Sequence, residues 1–455
     1  MLRTLFILSI LVPGFFLSLK NRYVALLMYL WFALFRPQDW MWIDITSLRL
    51  SLLLGIILIV PALLTGLFPN VTNPLGMGMV AFIVTSLLTQ TVAVAPALGW
   101  TWIDFMTRLL LSSMMIMTLA TTPRRLAGVV AVIGGSLAFH AAKAGLAFML
   151  GGGRFADGLA GAFVDNNGYA LGTVMVMPLV LAAAQNIELI YDGRWSKWIG
   201  RGMFMAVGLC VFAVIGTYSR GGFLSLSAIA LVFAALQRRK AAWLGGLVGI
   251  VTVVLLVVPL PKAYVDRLQT IQTYKETGEE SALGRTHFWA VAIRMVQANP
   301  IGIGLRQYEQ AYDRYDFSHG HYGSHRAVHS SHMQVLSELG YPGITVWGSL
   351  FLYALFACFR VRKRSQDPDL DPRTARFLWT TANGLIISIV GFLVGGSFLS
   401  LALNEITWLT FGMVGALEIV TRRVLAQPRV VESVATEVPL AFRAVQAFPS
   451  ARVGA

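Results

Sequence analysis

The sequence predicts an all-α, polytopic membrane protein of about 12 transmembrane helices with one large extracytoplasmic loop that contains short helices. Three observations predict it. The chain is 56% hydrophobic and only 13% charged, whereas a soluble domain carries about 25% charged residues. Apolar runs recur along most of the 455 residues, each near the roughly 20 residues needed to cross a hydrocarbon core of about 30 Å. Alternating strands of the outer-membrane-barrel kind are missing from the pattern, so the spans are helices.

In chain order the expected spans lie near residues 4–19, 22–35, 48–68, 75–95, 103–121, 126–150, 167–186, 202–218, 222–238, 241–260, 341–360, 377–397 and 401–421. The first two are short and read as a shallow hairpin or a miscount. The N-terminal stretch has the length of a signal peptide but no small-residue cleavage site, so it reads as a retained span. Lys and Arg in short loops set the orientation. Arg360, Arg362, Lys363, Arg364, Arg373 and Arg376 mark 361–376 as cytoplasmic. The basic residues at 238–240, 187–201 and 122–125 do the same. The long segment 261–340, the turn Ser219-Arg220-Gly221-Gly222 and the glycine-rich loop 151–166 then face outward. Counted literally, these spans put the N-terminus outside, against the usual inside start, and the first hairpin is the expected source of that discrepancy. Residues 1–425 form the membrane domain, with 261–340 carrying the reactive groups. Residues 426–455 read as a loosely ordered cytoplasmic tail.

A net charge of +14 follows from the positive-inside bias. No basic, aromatic-rich domain supports nucleic-acid binding. Two cysteines, Cys210 and Cys358, both lie in apolar runs, which excludes a disulfide framework and thiolate metal chemistry.

Polar groups of chemical interest collect in the outward segments. Arg220 stands between two apolar runs with almost no loop, where a guanidinium is costly unless it reaches water, a headgroup or a partner. It reads either as a snorkelling arginine or as an anion ligand, with Gly221 and Gly222 allowing a backbone or a phosphate to approach closely. The sequence from Leu283 to Ala298 predicts an amphipathic helix, with Phe288, Trp289, Ala292, Ile293 and Val296 on one apolar face. Pro300 stops it, and Arg285 is expected in its first turn, where a bound anion would offset the unfavourable cation. Five of seven histidines, His319, His321, His325, His329 and His332, fall in one stretch. They read as a metal loop, as a plain polar interface, or as the setting for one functional imidazole, His329, just before a span. Asp165-Asn166-Asn167 has the composition of a helix cap and also of a sugar or phosphate ligand. The acidic run Asp367-Pro368-Asp369-Leu370-Asp371 mimics a metal–nucleotide motif but reads as a turn. Asp104 and Arg108 are spaced to pair on one helix face. His140, Lys143 and Glu405 are ionisable residues near or inside spans, without an assigned role.

Together these residues resemble the O-antigen ligase and polymerase superfamily of bacterial envelope glycosyltransferases. The shared features are Ser219-Arg220-Gly221-Gly222, Gly284-Arg285 followed by Trp289, the turn Pro300-Ile301-Gly302-Ile303-Gly304, and His329-Ser330 opening HSSHMQVLSELGYPG. Asp165-Asn166-Asn167 and His-Ser in place of His-Asn look most like the O-glycosylation ligases associated with exosortase systems. The resemblance covers about residues 150–420, and His332 lies outside its usual pattern. It implies transfer of a glycan from undecaprenyl diphosphate to an acceptor hydroxyl (lipid, polysaccharide or protein) at the outer face of the cytoplasmic membrane, without metal or cofactor. His329 is then the general base, and Arg220 and Arg285 hold the diphosphate. Arg306, Arg326, Asn166 and Asn167 are further substrate-binding candidates. Fixed guanidiniums can stabilise the leaving charge, so no glycosidase-type carboxylate pair is needed. The alternatives are a polymerase of the same superfamily, a transporter of lipid-linked sugars, and a metal-binding membrane protein. Transporters place their ionisable groups near the midplane, whereas here they gather at one face.

Overall fold

The computed structural model describes residues 2–151, 163, 165–237, 239–246 and 280–426. Most of the expected span 241–260, the first part of the long loop and the tail 427–455 lie outside the described residues. Among the described residues there are fourteen helices of eight residues or more. They are α1 (Leu2–Lys20), α2 (Arg22–Phe35), α3 (Leu50–Leu64), α4 (Pro74–Thr89), α5 (Pro96–Leu119), α6 (Pro123–Met149) and α7 (Asn166–Gln185). There follow α8 (Ser196–Gly216), α9 (Arg220–Leu236), α10 (Glu280–Ala298), α11 (Tyr308–Tyr315), α12 (Ser331–Arg364), α13 (Pro372–Gly395) and α14 (Glu405–Leu425). Among the described residues, nine helical segments are long and apolar enough to span a membrane, and α2 and α9 are shorter apolar helices. The chain is therefore an all-α, multi-pass membrane protein.

Helix starts follow local chemistry. Proline at the first position and an Asn, Thr or Asp cap open α4, α6 and α13, because proline's missing N–H costs nothing there. Asp371 caps α13, so the acidic run at 367–371 is a turn, as expected.

Helix α7 is the centre of the bundle: 89% of its spanning stretch is buried, against 22% for the stretch containing α3. It packs on α6, α8, α9 and α13. The first hairpin is present as two helices. The Arg3 guanidinium lies 4.3 Å from the centre of the Trp42 ring, so the chain's start and the end of α2 share one end of the bundle. At the opposite end Arg360 pairs with Glu418. Tyr353 Oη donates to the same carboxylate at 3.2 Å and Asn73 Nδ2 at 3.3 Å, which ties α4, α12 and α14 together.

Helices α10 and α11 belong to the loop before α12 and have their own small core. Phe288, Val291, Ala292 and Met295 of α10 pack on Tyr308, Ala311 and Tyr312. The buried face of α10 thus departs from the expected one. Val291 and Met295 replace Ile293, which is 42% exposed. Helix α10 also starts at Glu280, so Arg285 stands beyond the first turn and the helix-dipole argument for it falls. Gln307 locks this loop to the bundle: its Oε1 accepts the Ala95 N–H at 2.6 Å, and its Nε2 donates to the Ala95 carbonyl at 3.1 Å.

Candidate active site

The turn Asn299–Gly304 and the start of α12 clasp one another. The Ile303 and Gly304 N–H groups donate to the Glu338 carbonyl at 3.1 and 2.9 Å, and the Tyr341 N–H donates to the Pro300 carbonyl at 2.9 Å. Gly302 has φ +107°, and a Cβ there would meet the Glu338 carbonyl oxygen at 2.5 Å. Gly340, φ +65°, breaks α12 at the same contact. The residues Ser331–Leu339 form the arm that presents His329.

His329 lies just ahead of this arm, with Ser330 as the cap: Ser330 Oγ accepts the Met333 N–H. Its backbone has φ +50°, a conformation costly for a side chain other than glycine. Its N–H donates to Ser400 Oγ at 2.9 Å, which holds that conformation. The ring packs 5.9 Å from the centre of Phe288, and Arg326 lies over the same Phe288 at 5.5 Å. Burial, then the charges of Arg285 and Arg326, push the imidazole pKa below its ordinary value, and Asp165 opposes them. The ring is therefore neutral near pH 7 and can accept a proton.

Two arginines reach this place from other parts of the chain. Arg285 lies 6.0 Å from the centre of the Phe398 ring. Arg220 opens α9 under a Ser219 cap, whose Oγ accepts the Gly222 N–H at 3.0 Å. Its neighbour Gly221 abuts the same Phe398: a Cβ there would stand 3.5 Å from the Phe398 Cβ. Gly222 instead lets α9 close on Ala170 of α7, so helix packing rather than phosphate access explains that glycine. Asn166 Nδ2 donates to the Thr217 carbonyl at 2.9 Å, and Asp165 caps α7 through the Gly168 N–H at 2.6 Å. Half-buried Asn167 begins the same helix.

The structure thus brings Arg220, Arg285, Arg326, His329, Asp165, Asn166 and Asn167 to one end of the bundle. Arg306 goes elsewhere. It stacks over Trp102 at 4.8 Å, while its N–H donates to Glu338 Oε2 at 2.8 Å. The remaining histidines disperse. His319 and His321 are exposed, and His325 Nε2 stands 3.5 Å from Asp313. His332 turns into the bundle, where its Nδ1 accepts from Trp347 Nε1 at 3.2 Å.

Sequence reasoning missed Phe398 and Ser400, which sit after α13 and join the arginine turn to the histidine arm. It also missed His287 and Asp316, an almost fully buried pair 2.8 Å apart. Burial raises the Asp316 pKa, but hydrogen bonds from the Ser318 and Gly320 N–H groups, Ser318 Oγ and His287 outweigh it, and the carboxylate stays ionised. This pair staples α10 to the histidine loop.

Residues 205–348, from within α8 to within α12, match the O-antigen ligase family. They contain Arg220, Arg285, Arg306, Arg326 and His329. Residues 2–188 match a family of unknown function (DUF5935), which covers α1 to α7. No curated protein matches the chain. The ligase-like segment spans both the arginine turn of α9 and the histidine arm of α12, and this match supports the O-antigen ligase and polymerase superfamily for the chain.

Proposed function

We propose that the protein is a glycosyltransferase that moves a glycan from undecaprenyl diphosphate to an acceptor hydroxyl at the periplasmic face of the bacterial inner membrane. Within the superfamily we assign it to the ligases, closest to the exosortase-associated O-glycosylation type. The observation that carries this reading is the meeting at Phe398, where Arg285 covers the ring and the Arg220 turn abuts it. Two residues on, Ser400 holds the His329 backbone.

In the proposed reaction the Arg220 and Arg285 guanidiniums bind the diphosphate oxygens. The acceptor oxygen attacks the anomeric carbon as the bond from that carbon to the diphosphate oxygen breaks. The diphosphate leaves with the bonding pair, and the arginines stabilise its growing charge. The neutral His329 imidazole takes the acceptor's proton and later releases it to water. Arg326, Asn166 and Asn167 line the same end as further polar contacts. An apolar cavity of about 330 Å³ beside α9, lined by Pro178, Val207, Leu226, Phe233 and Ile387, suits the isoprenoid tail.

The direct test is a deletion strain complemented with His329→Ala. Transfer is expected to be lost while the protein stays in the membrane at normal level. Unchanged glycan profiles in that strain would remove the base assignment. A chelator added to an in vitro transfer assay is expected to leave activity intact; loss restored by one divalent ion would favour the metal-binding reading.

A further inference from the structure

Arg360, Arg364 and Arg422 line a pocket of about 320 Å³ at the clamped end of the bundle, together with Asn70, Thr72 and Asn73. It sits where α4 starts and where α12 and α14 end. This is the end opposite His329. On the positive-inside reading of the basic loop 361–376 it faces the cytoplasm, and nothing in the transfer reaction uses it.

The pocket has donors to spare and few open acceptors. Glu418 is the one acid in its wall among the described residues, and its carboxylate already accepts from Arg360, Tyr353 and Asn73. Asn70 Oδ1 accepts the Thr72 and Asn73 N–H groups at 3.2 and 3.0 Å and the Thr72 hydroxyl at 3.1 Å. The Asn70 amide nitrogen then has no acceptor among the described residues. Arg364 and Arg422 have no acidic partner among the same residues. Three guanidiniums against one carboxylate leave a charge of +2. The last turns of α12 and α14 favour cations on account of the helix dipole, which explains basic residues there. It does not explain a walled pocket in which an unused asparagine amide from the segment before α4 joins them.

Toward the membrane interior the flanks of this pocket are apolar. Met77, Val80 and Val84 of α4 are 40–54% exposed, and Leu352, Phe356 and Phe359 of α12 are 47–72% exposed. Each trio recurs at helical spacing and forms one ridge, and α4 packs on α12. The Arg360 guanidinium lies over Phe356 at 5.2 Å, which joins the polar pocket to this apolar face. We propose that the pocket holds the headgroup of an acidic phospholipid from the inner leaflet, with phosphate on Arg364, Arg422 and Asn70 and acyl chains along the α4–α12 face. Guanidiniums match phosphate oxygens in pairs, and basic pockets between helices on the cytoplasmic side suit such headgroups. The charge of +2 selects a lipid with two phosphodiesters. A water-soluble phosphate would use the same donors but has nothing to lay on the ridges, so the continuity of pocket and apolar face decides for lipid. The assignment is independent of the transferase reading.

The test uses the full chain in dodecyl maltoside at about 0.15 M salt, where charges beyond about 8 Å are screened. Native mass spectrometry should show one diphosphatidylglycerol retained per chain, about tenfold tighter than phosphatidylglycerol, and no retention of phosphatidylcholine. Arg364→Gln combined with Arg422→Gln should weaken binding about a hundredfold, as loss of two charge-assisted hydrogen bonds gives. Asn70→Asp keeps the acceptor that Thr72 and Asn73 use but sets a negative charge in place of the donor, and should weaken binding about tenfold. Arg373→Gln combined with Arg376→Gln removes as many charges outside the pocket and should leave binding unchanged. Unfolding midpoints of the lipid-free variants, expected to match the wild type, show that the losses are not losses of fold. Equal weakening in the Arg373–Arg376 pair, or equal retention of phosphatidylcholine, overturns the proposal. So does displacement of the lipid by millimolar inorganic phosphate but not by chloride at equal ionic strength, which would make a free phosphate the occupant.

Discussion

At the scale of single residues, His329 is set apart by its surroundings rather than by its position in a histidine-rich stretch. Its backbone is held in the left-handed region by Ser400, and its ring is buried near Arg285 and Arg326. Those neighbours disfavour the cation, so the neutral form persists to a lower pH than in a free imidazole. The acid limb of the pH–rate profile is therefore expected below the ordinary imidazole value of about 6.5. Arg326→Gln removes one repelling charge and should move that limb upward; a limb that stays put would show that Arg326 does not act on this ring. Removing the proposed base, in His329→Ala, should cost roughly 10²–10⁴-fold in turnover. Arg220→Lys should lose most activity although the charge is kept, because lysine lacks the two-pronged guanidinium. Near-normal kinetics in that variant would argue against direct contact with the diphosphate.

At the scale of elements, the decisive join is between the turn at 299–304 and the kinked start of α12. Two N–H groups converge on the Glu338 carbonyl, and glycine at 302 leaves room for it. Gly302→Ala sets a side chain against that oxygen in a backbone conformation it resists, at a cost of about 1–3 kcal/mol. Thermal unfolding in detergent should show the loss. Transfer should fall as well, since the arm carrying His329 is fixed by this contact. Unaltered stability and rate would mean that the arm is positioned by something else.

At the scale of the whole molecule, the two ends of the bundle do different work. The end with His329 gathers groups from five separate stretches of chain. The opposite end is clamped by Arg360, Glu418, Tyr353 and Asn73. Glu418→Ala leaves partners without their acceptor and should destabilise the fold by about 1–3 kcal/mol. At a permissive temperature its transfer rate should match the wild type, because nothing in the clamp approaches the site. A variant that folds normally but transfers slowly would instead couple the ends.

The amino-acid sequence by itself determined the class of molecule. Runs of apolar residues near membrane length allow little but helices, since a backbone in hydrocarbon must satisfy its own hydrogen bonds. It also singled out Arg220, Arg285 and His329 as candidates, because charge beside a span and a polar start to a helix are local signals. It misjudged the start and buried face of α10, where packing on Tyr308 and Tyr312 outweighed periodicity. It grouped Arg306 with the other arginines, although a left-handed backbone and Trp102 turn it elsewhere. Phe398 and Ser400 carried no signal along the chain, for their neighbours lie far off in residue number. Only the packing of α2, α5, α9, α10, α12 and the segment after α13 decided which guanidiniums meet the imidazole, since contact between distant segments is a property of their shapes together.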